Sequence, residues 1–164
     1  MPLADVVSPA VRSKMMRNIK GKNTTPELII RRGLHARGFR FRLHVSDVPG
    51  KPDLVLPRHR VVIFIHGCFW HSHGCPLFKM PTTRPEFWRK KLSRNKARDL
   101  KVRSAVKDAG WRQLIIWECA TKGKGRIETD TLLSGVAHWI NGLETEGEIT
   151  GGLTMGPVTA SEPE

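Results

Sequence analysis

Residues 61–75 read VVIFIHGCFWHSHGC. The first five are apolar and mostly β-branched, and they stop at His66-Gly67, so they read as a short buried strand. The residues that follow hold Cys68 and Cys75, His71 and His73 in addition to His66, and the aromatics Phe69 and Trp70. Thiolate and imidazole donors at this density are the ligand set of a tetrahedral Zn²⁺. Cys68 and Cys75 supply two donors, one histidine supplies a third, and Cys119, the remaining cysteine of three, supplies the fourth. Three Cys and one His leave no open coordination position, which marks a structural zinc rather than a catalytic one. Single cysteines also serve as small core hydrophobes. Here the cluster takes every cysteine of the chain, and that favours the metal. The spacing leaves open which of His66, His71 and His73 is the ligand. Two imidazoles remain beside the site as candidates for chemistry.

The 164 residues carry 28 Lys+Arg against 15 Asp+Glu, a formal net charge of +13 with a pI near 10.4. A surplus of this size favours a polyanionic partner, with nucleic acid foremost. The length suits a single domain with a workable core. No apolar run reaches the length of a membrane span and the N-terminus shows no apolar signal-peptide core, so neither a membrane protein nor a secreted one is expected. Three cysteines cannot form a complete disulfide framework. Together these features point to a reduced, cytoplasmic setting in which cysteine binds metal.

Working outward, Ser8-Pro9 reads as a helix cap followed by Pro at the first position. A basic helix over about residues 9–20 then carries Arg12, Lys14, Arg17 and Lys20. Thr25-Pro26 repeats the signal for a helix over 27–37 ended by Gly38, with Leu28, Ile29, Leu34 and His35 on its buried face. Glu27 in its first turn is well placed for the helix dipole. Strict alternation over 39–45, FRFRLHV, predicts a strand with one basic face. Residues 52–56 give a second strand and 61–65 a third. Asp53 stands at the head of the second. Aspartate there is commonly turn punctuation, but its strand neighbours the one that ends at His66. Residues 85–92 and 94–109 read as one interrupted helix or two, with Phe87, Trp88, Leu92, Leu100 and Val106 as apolar positions. A fourth strand, 112–118, delivers Cys119 at its end. A last helix covers about 130–141, and the Gly, Thr, Glu and Pro of 143–164 read as a disordered tail outside a single domain of residues 1–142. The order α-α-β-β-β-α-β-α predicts an α/β fold, a mixed central β-sheet flanked by helices.

Asp53, His66, His71 and Glu27 can then meet at one sheet edge. A carboxylate with main-chain oxygens suits Mg²⁺, and a nearby histidine can move a proton at neutral pH. Phosphodiester hydrolysis needs that pairing, so a basic protein carrying it reads as a nuclease. At this point a resemblance applies. Pro52-Asp53 followed by a strand ending Phe64-Ile65-His66 is similar to the restriction-endonuclease-like PD-(D/E)xK core with its last two motif residues replaced. The block FxHGCFWHxHxC over 64–75, with PGKPD (49–53), RSKMMRNI (12–19), EFW (86–88) and WEC (117–119), resembles the very short patch repair endonucleases, which nick DNA at T:G mismatches. The resemblance runs from about Val11 to Gly142.

The resemblance implies a structural Zn²⁺ on Cys68, His73, Cys75 and Cys119. It implies a catalytic Mg²⁺ on Asp53 and the main-chain carbonyl of Ile65, a position where the family member compared has Thr. His71 would act on the water nucleophile, His66 and Asp99 would order water, and Glu27 would support the site. Phe69, Trp70 and Trp88 would wedge into the DNA beside the mismatch, and Arg12, Lys14, Arg17 and Lys20 would contact its backbone. The substrate expected is double-stranded DNA with a T:G mismatch left by deamination of 5-methylcytosine. A monomer is expected, with functional links to a cytosine-5 DNA methyltransferase and to mismatch-repair proteins. Two other readings stand beside this one. A non-catalytic zinc-containing DNA-binding module explains charge and cysteines but leaves Asp53, His66 and His71 without a task. A restriction-type nuclease acting on paired DNA would not distinguish T:G from C:G.

Deleting residues 1–20 should weaken DNA binding and reduce the slope of log affinity against log salt by about 3–4, since each phosphate contact contributes about 0.9. Binding measured across a salt series with an unchanged slope would remove this segment from the interface.

Overall fold

The computed structural model describes residues 23–152. The basic helix expected over 9–20, with Arg12, Lys14, Arg17 and Lys20, lies outside the described residues, as does the tail from 153 onward.

Helix α1 (Thr25–Ala36) begins at Thr24, whose Oγ1 accepts from the Glu27 amide at 3.4 Å, with Pro26 in the first turn. Serine and threonine caps of this kind satisfy amides that the first turn cannot pair. Strands β1 (Arg42–Leu43), β2 (Leu54–Leu56) and β3 (Val61–His66) follow, then α2 (Pro85–Asp108), β4 (Arg112–Trp117), α3 (Thr129–Asn141) and β5 (Glu146–Ile149). The cap of α3 is unusual: the Glu128 carboxylate accepts from the amides of Asp130 and Thr131 at 3.0 and 2.9 Å. Among the described residues, no helix is long and apolar enough to cross a membrane.

The five strands form one sheet in the order β1-β2-β3-β4-β5. β1, β2 and β3 pair antiparallel, while β3–β4 and β4–β5 are parallel. The mixed sheet with flanking helices is the α/β class expected from the sequence. Both faces of the central strands are covered, so β3 and β4 read as continuous apolar runs. Leu54, Leu56, Val61, Ile63, Leu114 and Ile116 face one side and pack with Ile30 and Leu34 of α1 and Leu132, Val136 and Ile140 of α3. Val55, Val62, Phe64, Ile115 and Trp117 face the other side, with Val106 of α2 and with Cys68 and Cys119. Gly33 of α1 lies against Leu133 of α3, where an added side chain would force Leu133 to move.

Several expectations need correction. The strand expected over 39–45 is only two residues long, because His44 takes a left-handed backbone (φ 47°) that ends the ladder. Its alternation fails at Leu43, which is exposed. The stretch 85–109, read as one interrupted helix or two, is a single uninterrupted helix, since Ser93 lowers helix propensity without breaking it. Leu100 and Phe87, read as apolar positions of that helix, are 62% and 43% exposed. On α1 the buried residues are Glu27, Ile30 and Leu34, and His35 is exposed. The folded unit also passes residue 142. The stretch read as disordered contributes β5, whose Ile116↔Ile149 register buries Ile149 in the core. Period-2 burial over Glu-Gly-Glu-Ile is too short and too polar to stand out in a Gly/Thr/Glu-rich tail.

Ile149→Ala should cost about 2–5 kcal/mol, the usual loss for a buried Ile. Denaturant unfolding that showed no loss would return the segment to the disordered class.

Candidate functional site

The parallel register Val61↔Arg112 to His66↔Trp117 brings the ends of β3 and β4 side by side. From β3 the chain continues into the loop bearing Cys68, His73 and Cys75. From β4 it turns into a short 3₁₀ segment, Glu118–Ala120, bearing Cys119. The four donor groups converge, each within 4.8 Å of the others. His73 Nδ1 lies 3.5 Å from Cys68 Sγ and 3.6 Å from Cys119 Sγ. A tetrahedral ion with bonds of about 2.3 Å to sulfur and about 2.0–2.1 Å to nitrogen sets sulfur–nitrogen edges of about 3.5–3.6 Å. The residues therefore fit a metal ion of that kind. His73 stacks on Trp117 at 4.0 Å, which fixes the ring. The amides of Cys119 and Gly151 donate to Cys68 Sγ at 3.4 Å and Cys119 Sγ at 3.2 Å. Burial pushes the Cys68 and Cys119 thiols up. A bound cation reverses that preference by taking the thiolate. Of the three histidines the sequence left open, the structure places His73 in this cluster.

His66 and His71 stand on the other side of the same loop, with rings stacked at 3.7 Å and 3°. His71 Nδ1 is 2.6 Å from Asp99 Oδ2, across from the middle of α2. This contact fixes the orientation of the ring at the cleft wall. Burial, followed by the neighbouring His71, pushes His66 down to about 3 against the opposing pull of Asp99. Among the described residues, His66 Nδ1 and Trp117 Nε1 are both buried without a hydrogen-bond partner. Polar atoms in that state call for water or a ligand.

The third group is Glu27, His44 and Asp53, whose candidate donor atoms also lie within 4.8 Å of one another. Asp53 Oδ2 accepts from the Ile65 amide at 2.6 Å. Burial raises the Asp53 carboxyl to about 7, the Ile65 amide opposes that, and the nearby Glu27 carboxylate adds to it. Two carboxylates this close, with little solvent, repel each other, and the Arg31 guanidinium offsets only part of that. Glu27 is 2% exposed, and its Oε2 accepts from Arg31 Nη2 at 2.8 Å and from the Asn23 amide at 3.0 Å.

Asp53, Ile65, His66, His71, Asp99 and Glu27 all line one open cleft of about 1530 Å³. Lys96, Arg98 and Arg103 of α2 line it as well. An oxygen-donor pair, an orphaned buried imidazole nitrogen and a cationic rim fit a hydrated divalent cation and a phosphate chain. Beside the cleft, Phe69, Trp70 and Trp88 form one aromatic group with ring centroids 5.1–5.9 Å apart. Lys91 Nζ stands over Trp70 and Trp88, and Asn95 Nδ2 holds the Trp70 carbonyl at 3.1 Å. Phe78 and Phe87 join this group. The sequence does not single out those two as DNA-facing, although Phe87 lies inside EFW. Nor does it single out His44 or Arg31. No local pattern marks them, because they reach the site only through β1–β2 pairing and one turn of α1.

Carboxylates and imidazoles around an open cleft of a strongly basic chain are the equipment of a hydrolase acting on nucleic acid. Comparison with known proteins makes that class specific. Residues 4–77 match the family model described as DNA mismatch endonuclease Vsr. The DNA mismatch endonuclease Vsr of Escherichia coli K12 is 42% identical over 147 residues, covering 90% of this chain and 94% of that protein. The type II nicking enzyme V.XorIIP of Xanthomonas oryzae pv. oryzae is 43% identical over 126 residues, covering 77% of this chain and 93% of its own. V.NmeAIP of Neisseria meningitidis, also described as a type II nicking enzyme, is 37% identical over 122 residues, 74% and 87% of the two chains. This chain belongs to the Vsr family of DNA mismatch endonucleases, and it is an endodeoxyribonuclease.

Proposed function

We propose that this enzyme nicks the T-bearing strand of T:G mismatches left by deamination of 5-methylcytosine, in a restriction-endonuclease-like fold that uses Mg²⁺ for catalysis and Zn²⁺ for structure. The observation that carries the reading is the shared wall of the cleft. Asp53, His66 and the His71–Asp99 pair stand there together, next to an aromatic group mounted on the Cys/His loop.

In this reading Asp53, with the Ile65 main-chain carbonyl, holds Mg²⁺, and Cys68, His73, Cys75 and Cys119 hold Zn²⁺. Mg²⁺ supplies charge neutralisation on the phosphate and activation of water. His71 takes the proton from the attacking water, and Asp99 stabilises the imidazolium that results. His66, kept neutral by burial, orders water with its unpartnered nitrogen. Glu27 acts on the site by keeping Asp53 charged only when a cation is near. Phe69, Trp70 and Trp88 enter the stack beside the mismatch. Unstacking costs roughly a few kcal/mol per step, least at a pair that is already weak. Lys96, Arg98 and Arg103 line the path of the cut strand, and the basic segment with Arg12, Lys14, Arg17 and Lys20 adds phosphate contacts. The enzyme works as a monomer in the cytoplasm, near the sites of a cytosine-5 methyltransferase and alongside mismatch-repair proteins.

Supercoil-free duplexes differing only in T:G or C:G decide the reading. Nicking should require Mg²⁺, fall on the T strand and disappear with the paired duplex. Asp53→Asn should abolish it, and His71→Ala should lower the rate about 10²–10⁴-fold. His66→Ala should fall between, and all three variants should keep their zinc. Equal cutting of both duplexes would turn the enzyme into a restriction-type nuclease, and zinc loss in His71→Ala would exchange the roles of His71 and His73.

A further inference from the structure

Behind the cleft wall lie Arg31 and His44, which the reaction above does not use. His44 follows β1 with its backbone at φ 47°, a conformation uncommon for any residue with a side chain. Its amide donates to the Asp53 carbonyl at 3.4 Å. The turn inserts the imidazole between two carboxylates. Nε2 is 3.6 Å from Glu27 Oε2, and Nδ1 is 4.0 Å from Asp53 Oδ1. Strained non-glycine backbone of this kind persists only where the surroundings hold it, and it concentrates at functional sites.

Arg31 decides which ring nitrogen carries the proton. Its Nη2 donates to Glu27 Oε2 at 2.8 Å and to Asn23 Oδ1 at 2.5 Å, and it lies 3.3 Å from His44 Nε2. Both Nη2 hydrogens already go to oxygens, so Nε2 takes at most a shared one, and a donor-only cation favours the ring's lone pair over an N–H on the side that faces it. The opposite tautomer would press an N–H against the guanidinium, and it would reach Glu27 only at 3.6 Å, beyond hydrogen-bond length. The proton therefore sits on Nδ1, the nitrogen facing Asp53. At 4.0 Å that N–H acts on Oδ1 as an aimed dipole, and a shift of about 1 Å makes it a hydrogen bond.

We propose that His44 is a positioning residue for the Asp53 carboxylate, and that Arg31 sets its tautomer. Asp53 Oδ2 is then held by the Ile65 amide at 2.6 Å, and His44 Nδ1–H faces Oδ1 from the other side at 4.0 Å. The imidazole keeps the carboxylate from turning away from the cleft under repulsion from Glu27. Partners of this kind orient metal-binding carboxylates, and their loss commonly lowers metal affinity about 10–100-fold. The metal part of the proposal rests on Asp53 as the Mg²⁺ ligand, whereas the tautomer does not.

Three measurements on the full chain test it. Nitrogen-15 NMR of the metal-free protein should show His44 protonated on Nδ1. Mn²⁺ titrated into the DNA-free protein, followed by its paramagnetic resonance, should bind about 10–100-fold more weakly to His44→Leu than to wild type. The Mg²⁺ concentration for half-maximal nicking should rise by a similar factor while DNA affinity stays level. His44→Gln, which offers an N–H in the same direction, should recover both to within a few-fold of wild type. An Nε2–H tautomer, an unchanged Mn²⁺ affinity in His44→Leu, or a His44→Gln variant as impaired as His44→Leu would each overturn the proposal. A wild-type protein that binds Mn²⁺ through this group yet nicks nothing in Mg²⁺ would overturn the proposed function and leave this assignment standing.

Discussion

The six-residue parallel ladder between β3 and β4 fixes where everything else can be. Its register sets His66 opposite Trp117, and the two chains leave the sheet within a residue of each other. The Cys/His loop and Cys119 are thereby neighbours although 43 residues of sequence lie between Cys75 and Cys119. A slip of one residue would turn each side chain to the opposite face. It would bury His66 among the α1–α3 contacts and turn Ile63 and Ile116 out of that cluster to the α2 side. The covered faces on both sides of the ladder exclude that slip, so the hydrophobic core itself aims the site.

From that point the two sides of the loop serve opposite ends. Cys68, His73, Cys75 and Cys119 converge on one point beside Trp117, a donor set that would leave a tetrahedral ion no open position. His66, His71, Asp99 and Asp53 are left incomplete. A stacked pair of imidazoles, an orphaned nitrogen and a carboxylate raised to about 7 are all costly in a finished interior. Local rules are obeyed on one side of the loop and broken on the other, and the broken side faces the cleft. The same short loop presents Phe69 and Trp70 beside the cleft, so one loop fixes the aromatic group and the stacked imidazoles together.

Much of this is legible in the amino-acid sequence alone. The apolar run over 61–65 and the crowding of Cys and His after it mark the central strand and the metal-type cluster, because both are strong local signals. Asp53 and His71 stand out because spacing and family resemblance coincide there. What escapes depends on long-range contact. The left-handed turn at His44 cuts a strand that alternation makes too long. Ser93 looks like a break in a helix that tertiary contacts at Leu92 and Val106 carry through. Ile149 sits in a polar stretch and is buried only because β4 offers an open edge. Arg31 and His44 reach Asp53 through pairing of β1 with β2 and the pitch of α1, which no window of sequence displays.

The central claim is that a metal at the four Cys/His donors holds the loop on which the reacting and DNA-facing residues stand. Zinc content of the purified enzyme, followed together with thermal stability and T:G nicking during chelation, tests it most directly. The account predicts one zinc per chain, and loss of stability and nicking in step with loss of zinc, with Cys119→Ser already deficient in all three. A well-folded, fully active wild-type enzyme with much less than one zinc per chain would contradict it.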